Sequence, residues 1–199
     1  NKSGTSSAAL ANTYTKSAAT FKDISSVSWA VEAIEDLASR GVINGKGDNT
    51  FKPHDTITRA EFVCIVVRAF NLETASVDSF SDVKPGKWYY KELMSAKAMG
   101  IITGDSSNRF YPDKPITRED IAVILARAGK AVGKPFNAYS NSVLEKFYDK
   151  NLISPYAIAS IASLHGEGVI NGKSENMLGP KDNATRAEAA VMMYRVINR

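Results

Sequence analysis

The sequence predicts a mainly α-helical fold in which three helix-loop-helix repeats take a pseudo-threefold arrangement. Two observations lead to this prediction. Three segments of the 199-residue chain share one pattern of aromatic, Gly, Pro and Arg residues at fixed spacing. In each segment, apolar residues recur at helical intervals on both sides of a loop rich in polar and glycine residues. Because two helices and a loop cannot bury a core alone, we expect the three units to form one compact domain.

The repeated pattern keeps the same register in all three copies. An aromatic residue stands 12 positions before the first glycine of a Gly-x-x-x-Gly motif, a proline 12 positions after that glycine, and an arginine 18 positions after it. The copies are predicted to span residues 21–79, 80–140 and 141–199. Residues 1–20, rich in Ser, Thr and Ala, are predicted to be a flexible lead-in or a poorly packed helix.

Each repeat is predicted to begin with one helix before its loop. In repeat 1 this helix begins near Ser28 and ends at Gly41, since glycine commonly follows the last residue of a helix. In repeat 3, Ser154 and Pro155 have the order of a cap followed by proline at the first helical position. The stretch 142–148 is predicted to add a helical turn or two before repeat 3.

The second helix of each repeat begins at a Thr-Arg motif. In repeat 1, Thr58 and Glu61 have the spacing of a capping box, in which each side chain bonds the backbone amide of the other residue. Repeat 3 has the same box, and repeat 2 has a weaker version in which Thr117 is paired with the shorter Asp120. Capping therefore gives the Thr and the acidic residue a sufficient structural role.

The arginine at the first helical position conflicts with local stability. A cation there opposes the helix macrodipole, typically by a few tenths of a kcal/mol to about 1 kcal/mol. A bound carboxylate or phosphate would resolve the conflict, because free amides at a helix start and a guanidinium fork together bind such anions. The alternative is a salt bridge to a neighbouring repeat, or to the Asp of the Phe-x-Asp motif that opens each copy. The arginines concerned are Arg59, Arg118 and Arg186.

Other repeated residues fit a carbohydrate site. An aromatic ring can stack on a sugar ring, with core packing as the alternative. Glycine loops can bring backbone amides close to a ligand, with an ordinary turn as the alternative. Lysines follow two of the glycines, whereas repeat 2 has Asp105, so the three sites are expected to be unequal. The candidates are the aromatic residues Trp29, Trp88 and Tyr156, the glycines Gly45, Gly104 and Gly172, and the lysines Lys46 and Lys173.

Composition argues against several classes of protein. The formal charge of +4 permits an anionic partner, but Lys and Arg are spread along the chain and form no basic stripe of the kind that nucleic-acid modules carry. No apolar run approaches the roughly 20 residues that span a bilayer. Cys64 stands in an apolar run and is expected to be buried, without a catalytic role. The chain begins at Asn1, so we interpret it as a processed protein or an excised fragment.

The combination of Phe-x-Asp, an aromatic residue before the first helix, Gly-x-x-x-Gly, Phe-x-Pro and Thr-Arg-Ala-Glu resembles the S-layer homology domain family. The resemblance covers the chain from about Phe21 to Arg199 in three tandem copies. It implies a central bundle of three helices, one per repeat, with grooves between neighbouring repeats. It also implies an extracellular, non-catalytic module that uses no cofactor or metal and lies in the cell wall or S-layer of a bacterium.

The resemblance implies a ligand as well, a secondary cell wall polysaccharide that is linked to peptidoglycan and carries pyruvate ketals, often on N-acetylmannosamine. The motif arginines would meet the pyruvate carboxylate, and neighbouring S-layer subunits are a second partner to consider. Two copies depart from the family pattern. Repeat 2 has Glu119 beside Arg118, and repeat 3 has Tyr156 for Trp and Leu178 for Phe. Equal use of three grooves is therefore not expected.

Three other functions are weighed against this one. An enzyme is disfavoured because neither histidine is a repeated element and no nucleophile, zinc or phosphate-loop motif is present, although two catalytic carboxylates need only be close in space. A calcium-clipped module such as a dockerin is disfavoured because the loop after Gly45 has too few carboxylates at alternating positions. Self-assembly of a surface layer through the grooves stays open as the alternative.

Overall fold

The computed structural model of the protein describes residues 21–74 and 78–199, so the predicted lead-in at 1–20 lies outside the described residues. Within these ranges the chain forms six α-helices, two per repeat, and no β-strand, which confirms the mainly helical prediction. The α-helices are α1 (Val31–Ser39), α2 (Arg59–Ala69), α3 (Tyr90–Ala98), α4 (Arg118–Ala131), α5 (Ile158–Gly166) and α6 (Arg186–Ile197). Short 3-10 helices span Ile24–Ala30, Asn141–Leu144 and Lys150–Leu152.

The second helices of the three repeats form the centre of the molecule. Helices α2, α4 and α6 contact one another in all three pairings. They bury apolar side chains such as Phe62, Leu125 and Met193, none of which retains measurable solvent exposure. Cys64 on α2 is buried as predicted, and this burial raises the pKa of its thiol to about 12. The thiol therefore stays protonated and unreactive at neutral pH.

The first helices pack around this centre in cyclic order. Helix α3 of repeat 2 packs on α2 of repeat 1, and α5 of repeat 3 packs on α4 of repeat 2. Helix α1 of repeat 1 packs on α6 of repeat 3, so the last repeat contacts the first. Each repeat thus covers its apolar surface with a helix from another repeat.

A ring of three backbone hydrogen bonds closes the same cycle. Ile57, Ile116 and Ala184 each occupy the position before the motif threonine. The amide of Ile57 donates to the Ala184 carbonyl, that of Ala184 to Ile116, and that of Ile116 to Ile57, each at 3.0 Å. The same backbone contact therefore recurs between each pair of repeats. The pseudo-threefold rotation that would relate the three repeats remains a prediction.

The first helix of repeat 1 ends at the predicted glycine. Gly41 has φ +69°, and it forms a Schellman motif in which its amide donates to Ala38 and the next amide donates to Leu37. The predicted starts are less accurate. In repeat 1 a 3-10 helix precedes α1, and in repeat 3 the predicted cap at Ser154 is wrong because α5 begins only at Ile158. Residues 155–157 form a turn instead.

The second helices begin as predicted. Thr58 with Glu61 and Thr185 with Glu188 form complete capping boxes. In repeat 2 the Thr117 side chain accepts a hydrogen bond from the amide of Asp120. The Asp120 carboxylate does not complete the box, because it bonds Arg59 and Tyr156 instead. Within the described ranges, no helix combines the length and the apolar character needed to cross a membrane.

Candidate functional site

The repeats enclose three grooves that together contain every predicted site residue. Each groove takes its motif arginine from one repeat, its glycine loop from the next repeat and its aromatic residue from the third. We name them groove A, with Arg186, Trp88, Gly45 and Lys46; groove B, with Arg59, Tyr156 and Gly104; and groove C, with Arg118, Trp29, Gly172 and Lys173.

The three aromatic side chains are exposed. Trp29 is 60% exposed, and Trp88 and Tyr156 are each 58% exposed. A large aromatic side chain in the core would be almost fully buried, so core packing does not account for these residues. Exposed aromatic faces at the wall of a groove are instead available to stack on a ligand.

In groove A the motif arginine crosses from repeat 3 into the loop of repeat 1. Arg186 donates from Nε to the carbonyl of Phe51 at 2.8 Å and from Nη2 to the carbonyl of Asn44 at 2.9 Å. Its guanidinium lies 4.5 Å from the centre of the Phe51 ring, and Nη1 lies 3.6 Å from the Glu61 carboxylate. The predicted alternative, a salt bridge to a neighbouring repeat, is therefore present.

In groove C, Arg118 makes the equivalent contacts to the loop of repeat 3. Nε donates to the Leu178 carbonyl at 3.1 Å and Nη2 to the Asn171 carbonyl at 2.8 Å, and Nη1 pairs with Glu188 at 3.1 Å. The side chain is only 6% exposed. Burial lowers the pKa of this guanidinium, and the neighbouring carboxylates act against that effect. An arginine stays charged under these conditions, so Arg118 is a buried cation that joins two repeats.

In groove B the motif arginine is the most accessible of the three. Arg59 donates from Nε to the Phe110 carbonyl at 3.0 Å, and Nη1 pairs with Asp120 at 2.6 Å. Its side chain is 20% exposed, and in the described residues Nη2 makes no hydrogen bond equivalent to those of the other two arginines.

The amides at the starts of the second helices are already occupied. The amide of Arg59 donates to the Lys114 carbonyl and that of Ala60 to the Pro112 carbonyl, both at 2.9 Å. The same bonds recur in the other two second helices. In α4 the amide of Arg118 donates to Asp182 and that of Glu119 to Pro180, and in α6 the amide of Arg186 donates to Asp55 and that of Ala187 to Pro53. The first two amides of each second helix therefore bind carbonyls of the next repeat and are not free for an external anion. This differs from the prediction, because the sequence did not show that another repeat would supply acceptors.

The Asp of each Phe-x-Asp motif holds the loop of its own repeat. In repeat 3 the Asp149 carboxylate accepts from the amides of Leu178 at 3.0 Å and Gly179 at 2.7 Å. Asp23 and Asp82 accept the corresponding pairs of amides in their own repeats. These carboxylates therefore position the loops, and the motif arginines pair with the acidic residues of the capping motifs instead.

Packing within the loops requires a glycine at Gly45 and at Gly172. A Cβ atom on Gly45 would lie 2.6 Å from the Phe21 ring and 2.7 Å from the Thr50 carbonyl, closer than such atoms approach. The next amide, that of Lys46, donates to the same Thr50 carbonyl at 2.8 Å. The loop is thus a tight turn that sets the shape of the groove wall.

The loop residue after each glycine differs between grooves. Lys46 pairs with Glu61 in groove A, and Lys173 pairs with Asp182 at 2.6 Å in groove C. In groove B the equivalent Asp105 accepts a hydrogen bond from the Tyr111 hydroxyl at 2.7 Å. Two grooves therefore carry a lysine at a position where the third carries a carboxylate.

A polar cluster around Glu119 borders groove B, which it reaches through the Tyr156 hydroxyl. This carboxylate is 3% exposed and accepts from the Ser154 amide at 3.0 Å, the Tyr156 hydroxyl at 3.0 Å and the Lys181 ammonium at 2.6 Å. Burial alone would raise the pKa of Glu119, but these hydrogen bonds outweigh burial and hold it below its ordinary value. The Tyr156 hydroxyl also lies 2.8 Å from the Asp120 carboxylate, so this aromatic side chain is held in place by two acidic residues.

Sequence reasoning missed a second repeated arginine. Arg68, Arg127 and Arg195 lie nine residues after the motif arginines, and they line grooves A, B and C respectively. The fixed register that revealed the first set would have revealed this one too. Arg68 pairs with Glu92 at 3.1 Å, whereas Arg195 donates to the Val169 carbonyl at 3.2 Å.

A cavity larger than any of the grooves borders groove A, with which it shares Arg68. It measures about 700 Å³ and lies between the end of α2 and the start of α3, with Tyr90 and Met94 in its wall. It contains none of the predicted site residues. Grooves A, B and C measure about 220, 430 and 610 Å³, and the last two are within the usual range for small-molecule sites.

Comparison with known proteins identifies the same module in larger proteins. The chain is 38% identical over 181 residues to an amylopullulanase of Thermoanaerobacterium thermosulfurigenes, an alignment that covers 90% of this chain and 10% of that protein. It is 38% identical over 187 residues to exoglucanase XynX of Acetivibrio thermocellus, covering 92% of this chain and 17% of that protein. It is 34% identical over 185 residues to the surface-layer 125 kDa protein of Lysinibacillus sphaericus, covering 91% of this chain and 15% of that protein. The chain thus spans less than a fifth of the length of these relatives.

The family comparison agrees with the repeats read from the sequence. The model of the S-layer homology domain matches residues 20–63, 79–122 and 146–190, one match in each repeat. This family is a binding module associated with the cell surface and the cell wall, and it is not a catalytic domain. The chain therefore belongs to the S-layer homology domain family.

Proposed function

We propose that this chain anchors an extracellular protein to the bacterial cell wall by binding a pyruvylated secondary cell wall polysaccharide in the grooves between its repeats. N-acetylmannosamine is the sugar we expect to carry the pyruvate ketal. The observation that carries the proposal is the assembly of an exposed aromatic side chain, a glycine loop and cationic side chains in each groove, from three different repeats.

The charges of the grooves favour an acidic ligand. Groove A has three cationic side chains and one carboxylate in its lining, and groove C has the same balance. Groove B has three cationic side chains and two carboxylates. A concave surface with excess positive charge attracts a carboxylate such as that of a pyruvate ketal. The aromatic wall supplies the apolar face that a sugar ring needs.

The relatives support a role as an anchor for different cargoes. Similar segments form a small part of proteins named as enzymes and of a surface-layer protein. A module shared between such different proteins is best explained by a common location. We therefore infer that the activity of the full-length protein belongs to parts of it other than this chain, and that this chain holds them at the wall.

The motif arginines have two tasks in this proposal. They supply positive charge beneath the ligand, and they join neighbouring repeats through backbone carbonyls. An Arg→Lys change at these positions would therefore weaken folding as well as binding. Changing the ligand separates the two effects better than changing the arginines does.

Sedimentation with purified cell walls tests the anchoring function. We expect the chain to pellet with peptidoglycan that carries its polysaccharide and to stay in solution with peptidoglycan from which the polysaccharide has been removed. Equal pelleting with both would contradict the proposal. Analytical ultracentrifugation of the chain alone tests the alternative, since self-assembly through the grooves would appear as concentration-dependent association without any sugar.

A further inference from the structure

We propose that groove C is the principal binding groove, and that Arg195 is the side chain that recognises the carboxylate of the ligand. This inference rests on the proposed function and assigns that function to one place and one residue.

Arg195 is a partly buried cation without a counterion. It lies on α6 in the lining of groove C, and in the described residues no carboxylate lies within 4.0 Å of it. Its polar neighbours are neutral: the Val169 carbonyl and the side-chain amide of Asn171, whose oxygen can accept from Nη1 at 3.1 Å. Burial lowers the pKa of Arg195, and no neighbouring carboxylate acts against that effect.

The equivalent arginine of groove A shows what Arg195 lacks. Arg68 is paired with Glu92 of α3, and the positions equivalent to Glu92 in the other first helices are Ala33 and Ser160. A guanidinium that already has a carboxylate gains less from a second one. Because desolvated charges in proteins are normally paired, the unpaired Arg195 is suited to a carboxylate that arrives with the ligand.

The motif arginine of groove C does not compete for this role. The three nitrogen atoms of Arg118 already contact Leu178, Asn171 and Glu188, and its side chain is almost completely buried. Arg118 therefore forms the floor of the groove, and Arg195 is left as the arginine with unused donors.

The rest of groove C fits a sugar better than the other grooves do. At about 610 Å³ it is the largest of the three, compared with about 430 Å³ for groove B and 220 Å³ for groove A. Trp29 presents an exposed aromatic face in this groove, and Lys173 adds a cation to its lining.

Groove B is the least suited to an anion, although Arg59 is accessible there. Asp105 occupies the position of the groove lysines, and Asp120 already pairs with Arg59. Tyr156 is held between Asp120 and Glu119. A ligand carboxylate in this groove would face two acidic groups, and the repulsion would offset the attraction of the arginines.

Substitution of the paired and unpaired arginines provides the first test. Calorimetric titration with purified pyruvylated polysaccharide should show that Arg195→Gln weakens binding by about tenfold or more, the cost of a lost charge-assisted hydrogen bond. Arg68→Gln removes the same charge from groove A and should weaken binding by much less. The exposed Lys84 lines none of the cavities, so Lys84→Gln controls for net charge and should bind like the wild type.

The exposed tryptophans provide a second test that does not depend on folding. Trp29→Ala should weaken binding more than Trp88→Ala, and thermal melting should show both variants folded. Two results would overturn this inference while leaving the anchoring function intact, provided that the wild-type chain binds. One is an equal loss of affinity in the Arg195 and Arg68 variants, and the other is a greater loss of affinity in the Trp88 variant than in the Trp29 variant. Failure of the wild-type chain to bind any wall polysaccharide would contradict the anchoring function itself.

Discussion

Glu119 makes the contact between repeats 2 and 3 different from the other two contacts between repeats. The equivalent positions in repeats 1 and 3 are Ala60 and Ala187. Where those copies have a methyl group, Glu119 places a buried carboxylate that bonds Ser154 and Lys181 of repeat 3. The sequence showed that Glu119 departs from the motif, and the prediction was that its carboxylate would affect the neighbouring Arg118. The structure shows instead that the carboxylate crosses to the next repeat.

The Glu119 cluster predicts a stability that depends on pH. Glu119→Gln keeps the shape and removes the charge, so it should lower the free energy of unfolding at pH 7 by about 1–3 kcal/mol, as loss of a charged hydrogen-bond acceptor does. The pKa of Glu119 is below its ordinary value of 4.5 in the folded protein. The stabilisation is therefore complete well above pH 4.5 and is lost as the pH falls through the folded pKa.

Urea denaturation of the wild type and the Gln variant at pH 7 and pH 3 measures this effect. The difference in unfolding free energy between the two proteins should shrink at the lower pH. A difference of the same size at both values would show that the charge of Glu119 contributes nothing to folding.

At the scale of helices and loops, the start of each second helix joins two repeats. The first amides of α6 and the side chain of Arg186 all donate to carbonyls in the loop of repeat 1. A helix end that would otherwise need water or a ligand is satisfied by another part of the chain. The same contacts fix the loop that forms a groove wall, so folding and groove shape depend on one set of bonds.

Arg186→Lys should destabilise the protein by about 2–4 kcal/mol, because an ammonium cannot reach both carbonyls and leaves a buried acceptor without a donor. Arg59→Lys is the matched variant. It should lower the free energy of unfolding by less, since Arg59 bonds only one carbonyl and is more exposed than Arg186. Chemical denaturation measures both free energies of unfolding. Equal losses in the two variants would contradict the role given to the second carbonyl bond.

Local sequence signals predicted the start of the second helix of each repeat more accurately than the start of the first helix. The capping boxes at Thr58 and Thr185 depend only on residues three positions apart, so the sequence contains all the information that they need. The start of α5 depends on more than its own residues, because Ser154 bonds Glu119 of another repeat and does not cap a helix. Contacts between repeats thus changed the local outcome.

At the scale of the whole molecule, the three repeats exchange helices, loops and side chains in a closed cycle. Every site residue that was predicted from the register of the sequence lies in a groove, although the second set of arginines was missed. The register could not show that each groove draws on three repeats, because spacing along the chain does not reveal which copy lies next to which. Exposure of the tryptophans and occupation of the helix starts both follow from this arrangement, so neither was predictable from one repeat alone.

Recognition of a carboxylate is tested by a calorimetric titration of the wild-type chain with cell wall polysaccharide before and after its pyruvate groups are removed. We expect the chain to bind the pyruvylated form and to lose most of that binding after removal, because the cationic grooves would no longer meet a carboxylate. Equal affinity for both forms would contradict the recognition of a carboxylate and would leave the aromatic walls and loops as the recognition elements.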